Sequence, residues 1–427
     1  MDVFEAVRAT QEELDVPGVA VGLLERDAER HEAFGVTSVE HPLEVTAHTR
    51  FQTGSITKTF TGTVVLELVA RGELDIDRPV REYLPGLKLA DAATTEGVTL
   101  RHLLAHTGGW VGDYFDDTGW GDDAAATYVE RMATLPQLTP LGELWSYNNA
   151  GFVLAGRVIE QVTGERYEDV VKQLVFDPLE MTESTFWPWD LMTERFAVGH
   201  TGEGAELHVA RPWAVGRSAH AAGGIVSTTT DLLKYARLHL DPPPELAPMQ
   251  EQQAEAAGEG EWVGLTWYGE DRFGTIRHGG GTMGQLSMLL LAPARDLALA
   301  VLTNHSPNGN RVIQDAIRAV GLADPDPPPI EPGPLDDYAG TYEMPLARLT
   351  LTGRNEHLHV VLEMLGGFPT KDSPPPPSPP PADAFFYAPD RWLIDEGALR
   401  GSRGHFIRGD DGSIAWLRSG GRLYRRV

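Results

Sequence analysis

Ser55 and Lys58 stand three residues apart in the segment FQTGSITK, at the start of a stretch with helical periodicity. On a helix, positions i and i+3 share a face about 5 to 6 Å apart, so a hydroxyl and an amine placed this way can exchange a proton. The plainer alternative is that Ser55 merely caps the helix. A capping box, however, would carry Glu or Gln three residues on, and a lysine near the positive helix end is electrostatically costly. That cost lowers the lysine pKa and favours the neutral amine that a base must be. A second group, LWSYNNAG, brings Tyr147 and Asn149 just ahead of a helical stretch beginning at Ala150. A phenol near a cation can relay a proton and an Asn amide can hold a carbonyl. Taken alone, Tyr147 reads as a packing residue and Asn149 as the helix N-cap. In a third group, TIRHGGGTMGQLSM, His278 is followed by Gly279, Gly280 and Gly281 at the end of an expected strand. Glycines weaken a strand and mark close approach to the backbone, either by a substrate with an amide as oxyanion donor or by a plain hairpin bulge.

The elements that must carry these groups are legible. Helices are expected over 55–71, closed by Gly72, and over 150–162, closed by Gly164. VAVGLLER from Val19 and the run His31 to Val36 read as neighbouring strands, and IRHGG, GQLSMLLLA and LALAVLTN as successive antiparallel ones, with a helix over 310–320 closing the segment. The tract DPDPPPIEPGP, 324–334, lacks the amide donors for helix or sheet and divides the chain into 1–323 and 335–427. Beyond it, short alternating segments read as an all-β module, interrupted by the proline tract Ser373 to Pro381.

The 427 residues include 62 acidic and 35 basic ones, a formal charge of −27, and no cysteine. Such a surface repels nucleic acid and anionic lipid, and the chemistry must come from oxygen, nitrogen or carboxylate groups. No run of eighteen apolar residues occurs and the N-terminus is acidic, so a soluble, cytoplasmic protein is expected, without membrane or nucleic-acid partners and with homo-oligomerisation left open. His102 and His106 have metal-like spacing but no third ligand, and read as packing or capping residues; no cofactor or metal is expected. Asp116, Asp117, Asp122 and Asp123 read as a solvated surface loop.

The order Ser-x-x-Lys, Tyr-x-Asn, basic residue then glycines resembles the three-part pattern of the serine β-lactamases and penicillin-binding proteins, in the branch of the class C β-lactamases, D-aminopeptidases and esterases. LLAHTGGW from Leu103, FDPLEMTEST from Phe176 and AGGIVSTTTDLLKYA from Ala222 resemble stretches around those motifs, so that the resemblance covers about residues 5 to 320. It implies an α/β sandwich with an antiparallel sheet, helices on both faces and an all-helical subdomain, followed by a lipocalin-like antiparallel β-barrel. It implies a serine hydrolase working through an acyl-enzyme on a small peptide, with a carboxylic ester or weak β-lactam turnover as alternatives and a catalytically silent binding protein as the reading from another class. By the same resemblance Ser55 is the nucleophile, Lys58 and Tyr147 share its proton, Asn149 orients the acyl group, and the amides of Ser55 and Gly281 form the oxyanion hole. His278-Gly279-Gly280 stands where β-lactamases have Lys-Thr-Gly, which removes the contacts to a penicillin carboxylate and points toward peptidase or esterase members. The segment Glu363 to Asp383 is a candidate for a loop that reaches from the barrel over the site, with an ordinary surface loop as the alternative.

Overall fold

The strand Leu297–Thr303 is buried along its whole length, and its alternate residues serve two different cores. Leu297, Leu299 and Val301 join Val19, Val21 and Leu23 beneath the terminal helices Val3–Glu13 and Gly309–Ala319. Ala298, Ala300 and Leu302 face the opposite way, onto Phe60, Val64, Leu232 and Tyr235 of two other helices. This period-2 division makes a three-layer sandwich, each large side chain contributing roughly 1.5 to 3 kcal/mol by leaving water. The computed structural model describes residues 2–256, 258 and 260–427.

The sheet has eight antiparallel strands, in the order Ala28–Gly35, Gly18–Glu25, Leu297–Thr303, Leu286–Ala292, Thr275–Gly281, Tyr268–Glu270, Glu261–Val263 and Ala254–Glu255. The strand pairs expected from the sequence are present, with Val19 opposite Phe34, His278 opposite Leu289 and Leu289 opposite Ala300; the pairing of Val19 with Thr303 joins the two groups into one sheet. The neighbour Tyr268–Glu270 pairs only with Thr275 to Arg277, so the edge of the glycine run is left uncovered by it.

Between sheet and helical subdomain runs the helix Thr57–Ala70, buried at eleven of its fourteen residues and so enclosed on nearly every side. Its threonines are hydrogen bonded rather than exposed: Thr59 donates to Ile56 O, Thr61 to Ala221 O, and Thr63 meets the Tyr235 hydroxyl. The second long helix, Asn149–Thr163, ends on Gly164 at φ +72°, a left-handed closure that glycine adopts without strain.

Residues 323–334 run without helix or strand. Gly340 to Arg426 then form a closed barrel of eight antiparallel strands. Its interior is filled by Tyr338, Tyr342, Phe386, Trp392 and Phe406. Among the described residues no helix is long and apolar enough to cross a membrane.

Candidate active site

Ser55 does not begin the long helix, as the periodicity suggested, but sits in a single 3₁₀ turn, Gly54–Ile56, immediately before it. The turn is pressed against the glycine strand. Gly54 has φ +51°, and a Cβ there would lie 2.7 Å from the Gly281 amide nitrogen. A Cβ on Gly280 would lie 1.9 Å from Thr53 O. Ser287, on the neighbouring strand, donates to the same Thr53 oxygen at 2.7 Å and so ties the turn to the sheet. The glycines thus let two backbones touch, which brings the Ser55 turn beside the Gly281 amide.

Lys58, one turn along, is fully buried. Its Nζ lies 3.1 Å from Ser55 Oγ, 2.7 Å from Asn149 Oδ1 and 2.5 Å from Ala222 O. Burial pushes its pKa well below the usual lysine range; the nearby Arg422 charge adds to this and Asp113 opposes it. The expected depression is therefore present, but desolvation is its chief source rather than the helix end.

Tyr147 lies under this amine, with Nζ 4.9 Å above its ring, and its hydroxyl lies close enough to Ser55 to feel its O–H. Burial raises the Tyr147 pKa despite the pull of Arg422 and Ser55, so the phenol keeps its proton. Desolvation outweighs the neighbouring charge, which suits the phenol to relaying a proton rather than to ionising. The helix cap is corrected by one residue. Asn148, not Asn149, is the N-cap, its Oδ1 accepting from Gly151 N at 2.8 Å. Released from capping, Asn149 turns its Oδ1 to Lys58 and donates from Nδ2 to Asp113 Oδ1 at 2.7 Å.

His278 is 2% exposed, its ring centroid 6.5 Å from that of Tyr147, and its Nδ1 bonds Gly279 O at 2.6 Å. Burial, helped by the Lys58 charge and resisted by the bond to Gly279 O, takes its pKa down to about 3. It is a neutral wall of the site. His106, at φ +57°, stacks on Tyr147 with centroids 4.6 Å apart and accepts from Asn148 N through Nδ1; His102 closes a capping box with Thr99. The structure therefore uses both as packing and capping residues. Among the described residues no group of His, Asp and Glu side chains could hold a metal ion.

The sequence reading missed two members. The barrel drives the turn between its last two strands, Gly420-Gly421, onto the site: Tyr147 N donates to Gly421 O at 2.8 Å and Arg418 Nη2 to Trp145 O at 2.9 Å. Arg422 then stacks over Tyr147, 4.4 Å from the centroid, and Arg422 Nε donates to Asp113 Oδ2 at 3.0 Å. Burial alone would lower the Arg422 pKa, but Asp113 more than reverses this and raises it. The barrel holds the same loop a second time, where Lys371 N donates to Phe115 O, Lys371 Nζ pairs with Asp116 at 3.1 Å, and Phe368 meets Phe115 edge to face at 5.0 Å. Asp116 is thus buried, bonded to Tyr114, Arg131 and Lys371, and its reading as a solvated surface is corrected; Asp122 pairs with Arg217 but stays exposed. The one local hint of the hairpin was its glycine pair, both residues at positive φ.

The family model described as Beta-lactamase matches residues 3–323. Penicillin-binding protein 4 of Amycolatopsis lactamdurans is 34% identical over 371 residues, covering 80% of this chain and 96% of that protein. Among solved structures, SurE, determined alone and with D-Leu, superposes over 100% of this chain and 98% of its own at 26% identity and a TM-score of 0.77 for the first form. A class C β-lactamase from Rhodobacter sphaeroides matches 75% of this chain at 24% identity and a TM-score of 0.62, a likeness of fold. With its sandwich, its Ser55–Lys58 pair and these matches, the chain belongs to the β-lactamase family of serine hydrolases acting on amide or ester bonds.

Proposed function

We propose that the chain is a serine peptidase that forms an acyl-enzyme on Ser55 with a small peptide substrate, D-residues included. The reading takes residues 1–323 as the catalytic unit and 335–427 as a barrel that completes the site. The observation that carries it is the surroundings of Lys58 Nζ. Two of its three neighbours, Asn149 Oδ1 and Ala222 O, can only accept, whereas the Ser55 hydroxyl can also donate. A neutral amine spends its two N–H groups on the fixed acceptors and turns its lone pair to Ser55.

Ser55 Oγ then attacks the substrate carbonyl carbon as its proton passes to Lys58. The developing oxyanion is received by the amides of Ser55 and Gly281, each such donor being worth about 3 kcal/mol. Tyr147, neutral at working pH, relays the proton onto the leaving amine, and Asn149 orients the acyl group. Water, deprotonated by the same pair, attacks the ester and returns the proton to Ser55. A neutral His278 offers no cation to the carboxylate of a penicillin, which favours a peptide over a β-lactam substrate. The solved complex of SurE with D-Leu supports a D-amino-acid component.

Treatment with a fluorophosphonate followed by mass spectrometry tests the chemistry: one adduct on Ser55, absent in Ser55→Ala, is expected, and an unlabelled wild-type protein would refute it. Hydrolysis of D-amino-acid amides, L-peptides, short esters and a chromogenic cephalosporin then ranks the substrates. Cephalosporin turnover faster than every amide would overturn the peptidase assignment.

A further inference from the structure

We propose that Asp113 is a positioning residue, holding the Asn149 amide in the one orientation that leaves the lone pair of Lys58 facing Ser55, and that Arg422 of the barrel holds Asp113 in place to do so. The inference rests on the assignment of Lys58 as the base for Ser55.

The two ends of an Asn amide have nearly the same shape, so its neighbours decide which end points where. At Asn149 one neighbour is the Lys58 amine and the other is Asp113 Oδ1, 2.7 Å from Nδ2. A carboxylate only accepts, so Nδ2 must face it and Oδ1 must face Lys58. If the amide turned over, its N–H would take the lysine lone pair that Ser55 needs, and its oxygen would abut the carboxylate. Asp113 is well fixed for this purpose. Its side chain is 6% exposed. Ala150 N donates to Gly112 O at 3.0 Å, and a Cβ on Gly112 would lie 2.5 Å from Asn148 Cα, so the backbone before Asp113 lies directly on the start of the Asn149 helix.

Arg422 grips both carboxylate oxygens, Nε donating to Oδ2 at 3.0 Å and Nη2 to Oδ1, which Asn149 shares, at 3.4 Å. These residues are 309 positions apart and lie in different parts of the fold. A barrel residue thus fixes the orientation of a catalytic-side amide through one shared carboxylate. The pair also balances charge around Lys58, since Asp113 favours its protonation and Arg422 disfavours it. Of the other titratable groups facing the amine, Tyr147 keeps its proton, and His106 and His278 have pKa values lowered by burial and stay uncharged.

The test is the rate of fluorophosphonate labelling of Ser55 between pH 5 and 10, on the full chain carrying Asp113→Asn, Arg422→Gln or both. In the wild type the rate climbs along a limb where Lys58 loses its proton, to a plateau. Asp113→Asn removes a negative neighbour, so the limb moves to lower pH. It also lets either amide end meet Asn149, so the plateau falls about 10- to 100-fold. Arg422→Gln removes a positive neighbour, so the limb moves to higher pH, and the freed carboxylate lowers the plateau. The double variant returns the limb toward its wild-type position with the plateau still low. Limbs that stay put, or that move the same way in both single variants, would overturn the proposal, as would an undiminished plateau in Asp113→Asn. If Asp113→Asn does not fold, the direction of the limb and the plateau in Arg422→Gln decide the matter. A wild-type protein that never labels would instead remove the nucleophile assignment itself.

Discussion

Replacing Gly280 with alanine should disable the site far more than the same change at either neighbouring glycine. A Cβ at Gly280 would stand 1.9 Å from Thr53 O and 2.5 Å from Ser287 Oγ, whereas at Gly279 the nearest atom is Met288 Cε at 3.4 Å and at Gly281 it is Leu286 Cδ2 at 3.4 Å. Restoring ordinary contact, about 3.4 Å, requires the strand and the Thr53 turn to part by roughly 1.5 Å, because a backbone oxygen cannot rotate away as a side chain can. Overpacking of this kind costs about 1 to 3 kcal/mol of stability. A displacement near 1 Å between reacting groups costs about 100-fold in rate. Urea unfolding and fluorophosphonate labelling of Ser55 measure the two effects on the same samples. Gly280→Ala should lose both, while Gly279→Ala and Gly281→Ala should stay within about 1 kcal/mol and about tenfold of the wild type. Equal losses across the three variants would refute the argument that contact between strand and turn places the nucleophile.

Lys58→Ala should cut the labelling rate at least about 100-fold, the lower end of what a positioned base contributes, and an unchanged rate would remove Lys58 from the mechanism. Glu160, largely buried, has a pKa pushed up to about 7 by desolvation, only partly relieved by Arg157. Its folded value lies above its ordinary value of 4.5, so the folded state holds the extra proton, and stability present below pH 4.5 is lost as pH rises to about 7. Glu160→Gln should therefore gain up to about 3 kcal/mol relative to wild type at pH 8 compared with pH 4.5, and a pH-independent difference in urea midpoints would contradict this. Phe368→Ala should loosen the barrel's second hold on Phe115 and speed tryptic cleavage after Lys371, read by timed digestion; unchanged cleavage would show that this contact does not restrain the loop.

What the sequence discloses about this site is what is local in it. Ser55 and Lys58 meet because three residues of helical rise put them on one face, and the Gly279–Gly281 run announces a close approach without naming the partner. The cap at Asn148 rather than Asn149 differs by one position in an Asn-Asn pair, a choice that periodicity does not resolve and the fit of Gly151 N does. Asp113 and Arg422 were invisible for a different reason. Their pairing closes a separation of 309 residues, and neither has a neighbour in sequence whose chemistry suggests the other. Asp116 was misread because an acid beside glycines resembles loop surface until Arg131 and Lys371 are brought against it. The sheet and barrel were more legible, since strand alternation reports burial of each face directly.

Tyr338, Tyr342, Phe386, Trp392 and Phe406 pack the C-terminal cylinder with side chains rather than line it for a ligand. It serves as a stiff peg with a shaped tip. Rigidity comes from the aromatic plug, while the chemistry it offers lies in a few residues outside, around Ser419 to Arg422. Grafting that tip alone from a relative should therefore redirect selectivity and leave the melting temperature almost untouched.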